Sequence, residues 1–199
     1  ARVIGLTLSE NQYRYCTERA RGLQEADSEQ FRLQGWEEFD EPVDRIVSIG
    51  AFEHFRNSRH EAFFQRCREI LPSDGIMMLH SIVTTSLADL REQDFPFRQE
   101  DVRLAWFIRD EIFPGGLLCA PDRIRSFAER CGFEVYHEQS LRLHYARTLD
   151  IWAESLAAAR EEAIALTSQT VYDRYRKYLT GCAEQFRKGL IDVMQFCMR

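Results

Sequence analysis

Along most of this chain, short apolar runs alternate with stretches whose apolar residues recur at helical spacing. The clearest run is residues 43–49, where Val43, Ile46, Val47 and Ile49 predict a buried strand that stops at Gly50. Residues 2–7, RVIGLT, predict a shorter strand before it. Ser9 is a good N-cap for an amphipathic helix over residues 11–23, ending near Gly22. Residues 30–36 alternate like a strand through Phe31 and Leu33, and Gly35-Trp36-Glu37 turns out of it. Phe63, Phe64, Cys67, Ile70 and Leu71 then share a helix face over residues 59–71. Pro72-Ser73-Asp74-Gly75 is a turn, and residues 76–83, IMMLHSIV, form a nearly continuous apolar strand. A helix at 122–131 closed by Gly132, a strand at 133–141, a long helix at 168–188 and a last strand at 190–198 complete the pattern.

Strands alternating with helices across short turns predict parallel βαβ units. Two segments exceed what a sheet needs. Residues 84–120 carry Phe95, Phe97, Trp106, Phe107 and Phe113; residues 144–187 carry Trp152, Tyr172, Tyr175, Tyr178 and Phe186. Aromatic residues at helical spacing are usually core, but two such insertions at one sheet edge fit a lid over an apolar cavity.

Composition narrows the class. With 199 residues, 45% hydrophobic and 29% charged, the chain suits one globular domain. The net charge of -6 argues against a nucleic-acid partner. No apolar run of about 18 residues predicts a membrane span. The six cysteines form no CxxC pair, and neither they nor the histidines have zinc spacing, so they read as reduced cytosolic thiols and no metal is expected.

Ligands of open α/β sheets bind beyond the carboxyl ends of strands. Gly50, followed by Glu53 and His54 between Phe52 and Phe55, is such a strand end. A plain strand-to-helix turn with a solvated Glu reads equally well from these residues alone.

The blocks GLTLSENQ, GWEEFDEPVDRIVSIGAFEHF, LPSDGIMMLH, EIFPGG, LHYARTLDIW, YRKYLTGCAEQFRKG and the IDVMQF ending resemble the mycolic acid methyltransferases. That group, the cyclopropane mycolic acid synthases and their relatives, belongs to the cyclopropane-fatty-acid synthase family. The resemblance implies an α/β class I S-adenosylmethionine-dependent methyltransferase fold, Rossmann-like, with a mostly parallel seven-stranded sheet and an antiparallel edge strand. It implies methyl transfer to a double bond of a long acyl chain, presented on an acyl carrier protein. A carbocation then closes to a cyclopropane by losing a proton, or takes up water to give a hydroxyl beside a methyl branch. Localisation would be cytoplasmic or peripheral at the membrane.

Carried over by position, Thr7, Leu8, Ser9 and Gln12 would approach the ribose and methionine of S-adenosylmethionine. Trp36 and Glu37 would hold the adenine, and Ile49 and Gly50 would lie under the cofactor. Glu53, His80 and Tyr145 match the cluster that holds a bicarbonate ion as general base, and Cys182 matches a cysteine credited with an active-site role. His80 is expected to end an apolar strand and Tyr145 to follow directly on the strand at 133–141. With Glu53 they would come from three strand ends that converge in this fold. The two also read as a satisfied core histidine and a packed phenol. Phe113 and Tyr178 are the expected acyl-chain contacts; Arg174, Arg176 and Lys177 are candidate cations for a carrier, and they read also as a solvated helix face.

One departure accompanies the resemblance. The family's first strand and glycine-rich loop should precede residues 2–7, with that first strand lying in the sheet between residues 2–7 and the strand at 43–49. The expectation is therefore a sheet broken there, in the C-terminal part of a longer enzyme. The rival expectation is a truncated, catalytically inactive fragment that binds lipid or a partner. A methyltransferase of ordinary small molecules is a third, and it would not need the aromatic insertions.

Overall fold

The computed structural model describes residues 1–21, 29–92, 96 and 98–199. The expectations for Gly22, Leu23, Phe95 and Phe97 lie outside the described residues. Strands β1 (Val3–Thr7) and β2 (Glu29–Leu33) pair in parallel, with helix α1 (Glu10–Arg21) between them in sequence. Strands β3 (Arg45–Ile49), β4 (Ile76–Thr84), β5 (Val135–Ser140) and β6 (Ile191–Met198) form a second sheet in the order β3-β4-β6-β5.

Strand β3 is parallel to β4, while β6 runs antiparallel to both β4 and β5. The expected antiparallel strand is thus β6, one place in from the edge. Composition explains the order. Strand β6 buries Val193, Phe196 and Met198 almost completely, whereas β5, VYHEQS, has the polar side chains that suit an exposed edge. Among the described residues no ladder joins β1 to β3, so the sheet is broken where the sequence predicts. Val3 and Leu6 of β1 and Val47 and Ile49 of β3 remain exposed.

Period-two alternation gives the β4–β6 unit two apolar faces. On one face Met77, Leu79, Val83, Phe196 and Met198 pack with Phe63, Phe64 and Cys67 of α2 (His60–Ile70) and Ile124 and Ala128 of α5 (Pro121–Arg130). On the other, Ile82 and Val193 meet Leu149 of α6 (Arg142–Ala158) and Leu179, Cys182 and Phe186 of α8 (Gln169–Lys188). Each fully buried Leu, Met or Phe is worth roughly 1.5–3 kcal/mol, so these faces anchor everything attached to them. Helix α8 starts where Ser168 Oγ accepts from Val171 N–H at 3.2 Å. It stops at Gly189, whose φ of 79° suits glycine at a helix C-terminus.

The first insertion contains α3 (Leu87–Glu92), α4 (Gln99–Phe107) and a π-helical turn (Ile108–Ile112); the second contains most of α6, α7 (Arg160–Leu166) and α8. They meet along residues 174, 177, 181, 185 and 188, one stripe of α8. Asp101 Oδ1 accepts from Gln185 Nε2 at 2.9 Å and Lys188 Nζ at 2.8 Å. A Cβ on Gly181 would lie 2.7 Å from Leu104, so glycine permits the close approach. Lys177 Nζ sits 3.9 Å from the Phe107 ring centre, and Arg174 pairs with Glu111 at 3.0 Å. Two of the three cations expected to dock a carrier are therefore engaged within this seam. The insertion aromatics divide: Phe107, Tyr172 and Phe186 are buried, while Trp106, Trp152 and Tyr175 face outward. No helix among the described residues is long and apolar enough to cross a membrane.

Candidate functional site

Strand β3 stops at Ile49 while β4 continues to Thr84, and that mismatch builds the site. Gly50 N–H still donates to His80 O at 3.0 Å, but beyond it the Ile82 N–H has no strand partner on the β3 side. The chain turns at Gly50, whose φ of 61° calls for glycine although nothing lies within 4 Å of where a Cβ would stand. Backbone conformation, with open space before it, is thus this structure's reason for Gly50. A 3-10 turn, Phe52–His54, then brings Glu53 back, and its Oε1 accepts from Ile82 N–H at 2.6 Å. Glu53 is 8% exposed, and its Oε2 is buried without a hydrogen-bond partner. A buried carboxylate oxygen left unpaired is costly and needs a donor from a ligand or a neighbour. The solvated-Glu alternative fails on this burial.

Tyr145, Tyr178 and Cys182 pack with Ile82 in one cluster, and Glu53 lies near enough to Tyr145 for its charge to act on that hydroxyl. Burial raises the Tyr145 hydroxyl above its ordinary value, and the neighbouring Cys182 and Glu53 raise it further. Burial likewise pushes the Cys182 thiol up to about 12. Tyr178 is raised mainly by burial, then by Cys182, Tyr145 and Tyr175. Hydroxyls and thiol are therefore neutral near pH 7, able to donate hydrogen bonds but not to act as anions. The Phe113 ring stands edge-on to Tyr178 at 5.6 Å, and His54 is the outer neighbour of Phe113 at 6.3 Å.

Two placements differ from the sequence reading. Tyr145 lies one turn inside α6, because β5 ends at Ser140 and Tyr145 N–H already bonds to Leu141 O at 2.9 Å. His80 lies in the middle of β4, because the apolar alternation runs on to Thr84 without a turn signal. It shares the Ile82 face, about 7 Å further back by strand spacing, and its Nδ1 is 3.2 Å from Gln195 Nε2 on β6. Glu53, Tyr145, Tyr178, Cys182 and Phe113 are thus assembled around one place, with His80 set behind them.

The cofactor candidates gather at the ends of β1, β2 and β3. Ser9 caps α1, accepting Gln12 N–H at 3.3 Å, and Thr7 Oγ1 donates to Gln12 Oε1 at 2.8 Å. Leu8 is 80% exposed and Ile49 63% exposed, apolar groups presented rather than buried. The Trp36 ring packs inward on Phe55 at 5.5 Å and Phe63 at 5.3 Å, so the turn that carries Glu37 is fixed to the core. A cleft of about 180 Å³ opens beside the pair, walled by Arg59 and by Ala62, Gln65 and Arg66 of α2. Exposed Leu8 and Ile49, the open space before Gly50 and the Glu37 carboxylate suit a nucleoside with an exocyclic amino group.

Residues 1–196 match the family model for mycolic acid cyclopropane synthetase. The chain belongs to that family. It is 52% identical over 196 residues to cyclopropane mycolic acid synthase 3 of Mycobacterium tuberculosis, covering 98% of this chain and 68% of that protein. The structure of the cyclopropane synthase MmaA2 from the same species superimposes with a TM-score of 0.95 at 46% identity, covering 99% of this chain and 69% of that one. The structure of the mycolic acid cyclopropane synthase CmaA1 complexed with SAH and CTAB gives a TM-score of 0.94 at 48% identity, covering 99% and 69%. The Rossmann-like methyltransferase fold is therefore shared, and the chain spans about two thirds of these relatives.

Several contacts of the site have no clear signature in the family motifs. Ile82 acts through its backbone N–H, which any residue could offer. Gln195 could be found by counting parity along IDVMQF, since it falls on the His80 face. Leu117 N–H donates to Glu53 O at 3.0 Å, so the loop after EIFPGG wraps the Glu53 turn. Among the described residues no group of three or more His, Cys, Asp and Glu is placed to hold a metal.

Proposed function

We propose that this chain is an S-adenosylmethionine-dependent C-methyltransferase acting on a double bond of a long unsaturated acyl chain, a mycolic acid precursor. The observation that carries this reading is the buried, unpartnered Glu53 Oε2 beside the neutral hydroxyl of Tyr145, itself packed among aromatic side chains. Family membership and the S-adenosylhomocysteine complex of a relative support the cofactor.

Thr7, Leu8, Ser9, Gln12, Trp36, Glu37, Ile49 and Gly50 would hold S-adenosylmethionine, which when bound supplies an electrophilic methyl group. Phe113 and Tyr178 face the acyl chain with π surfaces. A methylated alkene carries its positive charge on carbon, and aromatic faces stabilise a desolvated cation by about 2 kcal/mol. Losing a proton from the new methyl closes a cyclopropane, whereas taking up water gives a hydroxyl beside a methyl branch. The proton needs a weak base within about 3 Å. A bicarbonate ion would suit that role: its O–H would satisfy Glu53 Oε2, and the neutral Tyr145 hydroxyl would donate to it. Cys182 lines the place as a thiol, and His80 supports it from behind.

The insertions at 84–120 and 144–187 form the acyl-chain lid. An acyl carrier protein presents the substrate, and the enzyme works in the cytoplasm or at the membrane surface. The test is turnover on a long acyl chain with one cis double bond against the saturated chain of equal length. Turnover requiring the double bond supports the proposal; equal turnover contradicts it.

The binding-only reading draws on one observation, the exposure of Leu8 and Ile49 at the cofactor end. S-adenosylhomocysteine separates the two readings. A raised melting temperature supports the enzyme; no change supports the fragment.

A further inference from the structure

Glu37 divides its carboxylate between two sides. Oε1 lies 3.6 Å from Arg59 Nη2, and the same guanidinium stands over the Trp36 ring at 5.3 Å. Oε2 points the other way. It would be 3.0 Å from a Cβ on Gly35, and that same point is 3.7 Å from Leu8 Cδ2. The free oxygen therefore faces the β1 side, where Thr7, Ser9 and Gln12 also gather.

The backbone of Arg59 is held independently of these contacts. Residues 57–59 form a 3-10 turn, and Arg59 N–H donates to Arg56 O at 2.7 Å. Phe55, four residues earlier, supports Trp36 from beneath. Arg59 thus rises from a fixed turn to touch both members of the Trp36–Glu37 pair. A half-exposed ion pair of this length contributes little to stability. Its consequence is directional: a carboxylate with one oxygen tied to a fork-shaped cation loses rotamers that would turn the other oxygen away.

We infer that Arg59 is a positioning residue for adenine recognition, holding Glu37 so that Oε2 meets the exocyclic amino group, with Gly35 keeping that oxygen's place clear. This rests on the reading that Glu37 receives the adenine. Arg59 touches no reacting atom and acts through Glu37.

The test compares binding of S-adenosylhomocysteine with S-inosylhomocysteine, in which the amino donor is replaced by a carbonyl. Calorimetry on the full chain and its variants gives the affinity ratio. The wild type should favour the adenosyl compound by about tenfold or more, the worth of one hydrogen bond to a charged group. Glu37→Gln should collapse the ratio. Arg59→Leu should shrink it by about threefold to tenfold, with Arg59→Lys restoring part of it. Gly35→Ala, which changes no charge, should shrink it too by crowding Oε2.

A collapsed ratio in Glu37→Gln with an unchanged ratio in Arg59→Leu would overturn the role of Arg59 and leave the adenine reading standing. Equal weakening of both ligands by Arg59→Leu, as general loosening would give, overturns that role in the same way. An unchanged ratio in Glu37→Gln, or no binding of the adenosyl compound at all, would overturn the adenine reading and Arg59's role with it.

Discussion

At one end of the site Tyr145, Tyr178 and Cys182 lie within a packed wall beside buried Glu53, and burial dominates every resolved titration shift there. At the other end Leu8 and Ile49 stand exposed, and the polar contacts of Thr7, Gln12, Glu37 and Arg59 are made at the surface. The closed end is held by apolar area and leaves one oxygen unpaired. The open end is held by short-range polar contacts and leaves apolar groups uncovered. Unmet needs of opposite kinds suit a small polar base at the first and a nucleoside at the second. Changes at the closed end should therefore alter chemistry, and changes at the open end should alter cofactor binding.

The sharpest break of that contrast is Glu53→Gln. It should lower turnover by about a hundredfold or more, the usual share of a positioned acid–base group, while the Kd for S-adenosylhomocysteine moves less than about twofold. Binding and rate measured on the same preparation check it; parallel losses would erase the distinction between the ends. Next in size is Tyr178→Ala or Phe113→Ala, which should reduce kcat/KM on long unsaturated chains by about tenfold and spare short ones.

Much of this contrast is legible in the amino-acid sequence. The helix at 168–188, β4 and the strand break between β1 and β3 all follow from periodicity and the family resemblance. What escapes is set by contacts between distant elements. Tyr145 reads as the residue just beyond a strand end, yet backbone bonding starts α6 at Arg142 and places it inside that helix. His80 reads as a strand end because a polar residue interrupts an apolar run, yet Gln195 across the ladder satisfies it in mid-strand. Arg59 reads as the start of a helix, and only the folded chain lays it over Trp36.

The seam that joins the two insertions offers a stability test. Asp101 is 4% exposed; burial pushes its carboxyl up, but Lys188 Nζ, Arg98 N–H and Gln185 together hold it below the usual range. A lowered folded value means stability that is present above the ordinary Asp range and lost as pH falls through it. Asp101→Ala should cost about 2 kcal/mol at pH 7, and the difference from wild type should narrow towards pH 3 in urea unfolding.

The smallest expected effect lies at His60, under the Phe52 ring. His60 is fully buried and stacked on Phe52 at 4.2 Å, and neither ring nitrogen has a partner. Burial holds its pKa below the ordinary value, with the nearby Arg123 charge adding to that and the Phe55 and Phe52 carbonyls opposing it. The unfolded ring takes up its proton first as pH falls, so stability is full above the ordinary His value and declines below it. His60→Phe should remove that sensitivity, leaving a melting-temperature drop between pH 7 and 5.5 smaller than wild type by about 2 °C.

The most direct measurement uses S-adenosylmethionine with a trideuterated methyl group and a long acyl chain bearing one cis double bond, with the product read by mass spectrometry. Methyl transfer to carbon predicts a cyclopropane retaining two deuterons, the third being lost on ring closure, or a methyl branch beside a hydroxyl retaining all three. Label absent from the acyl chain, or released from it by ester hydrolysis, would contradict the assignment.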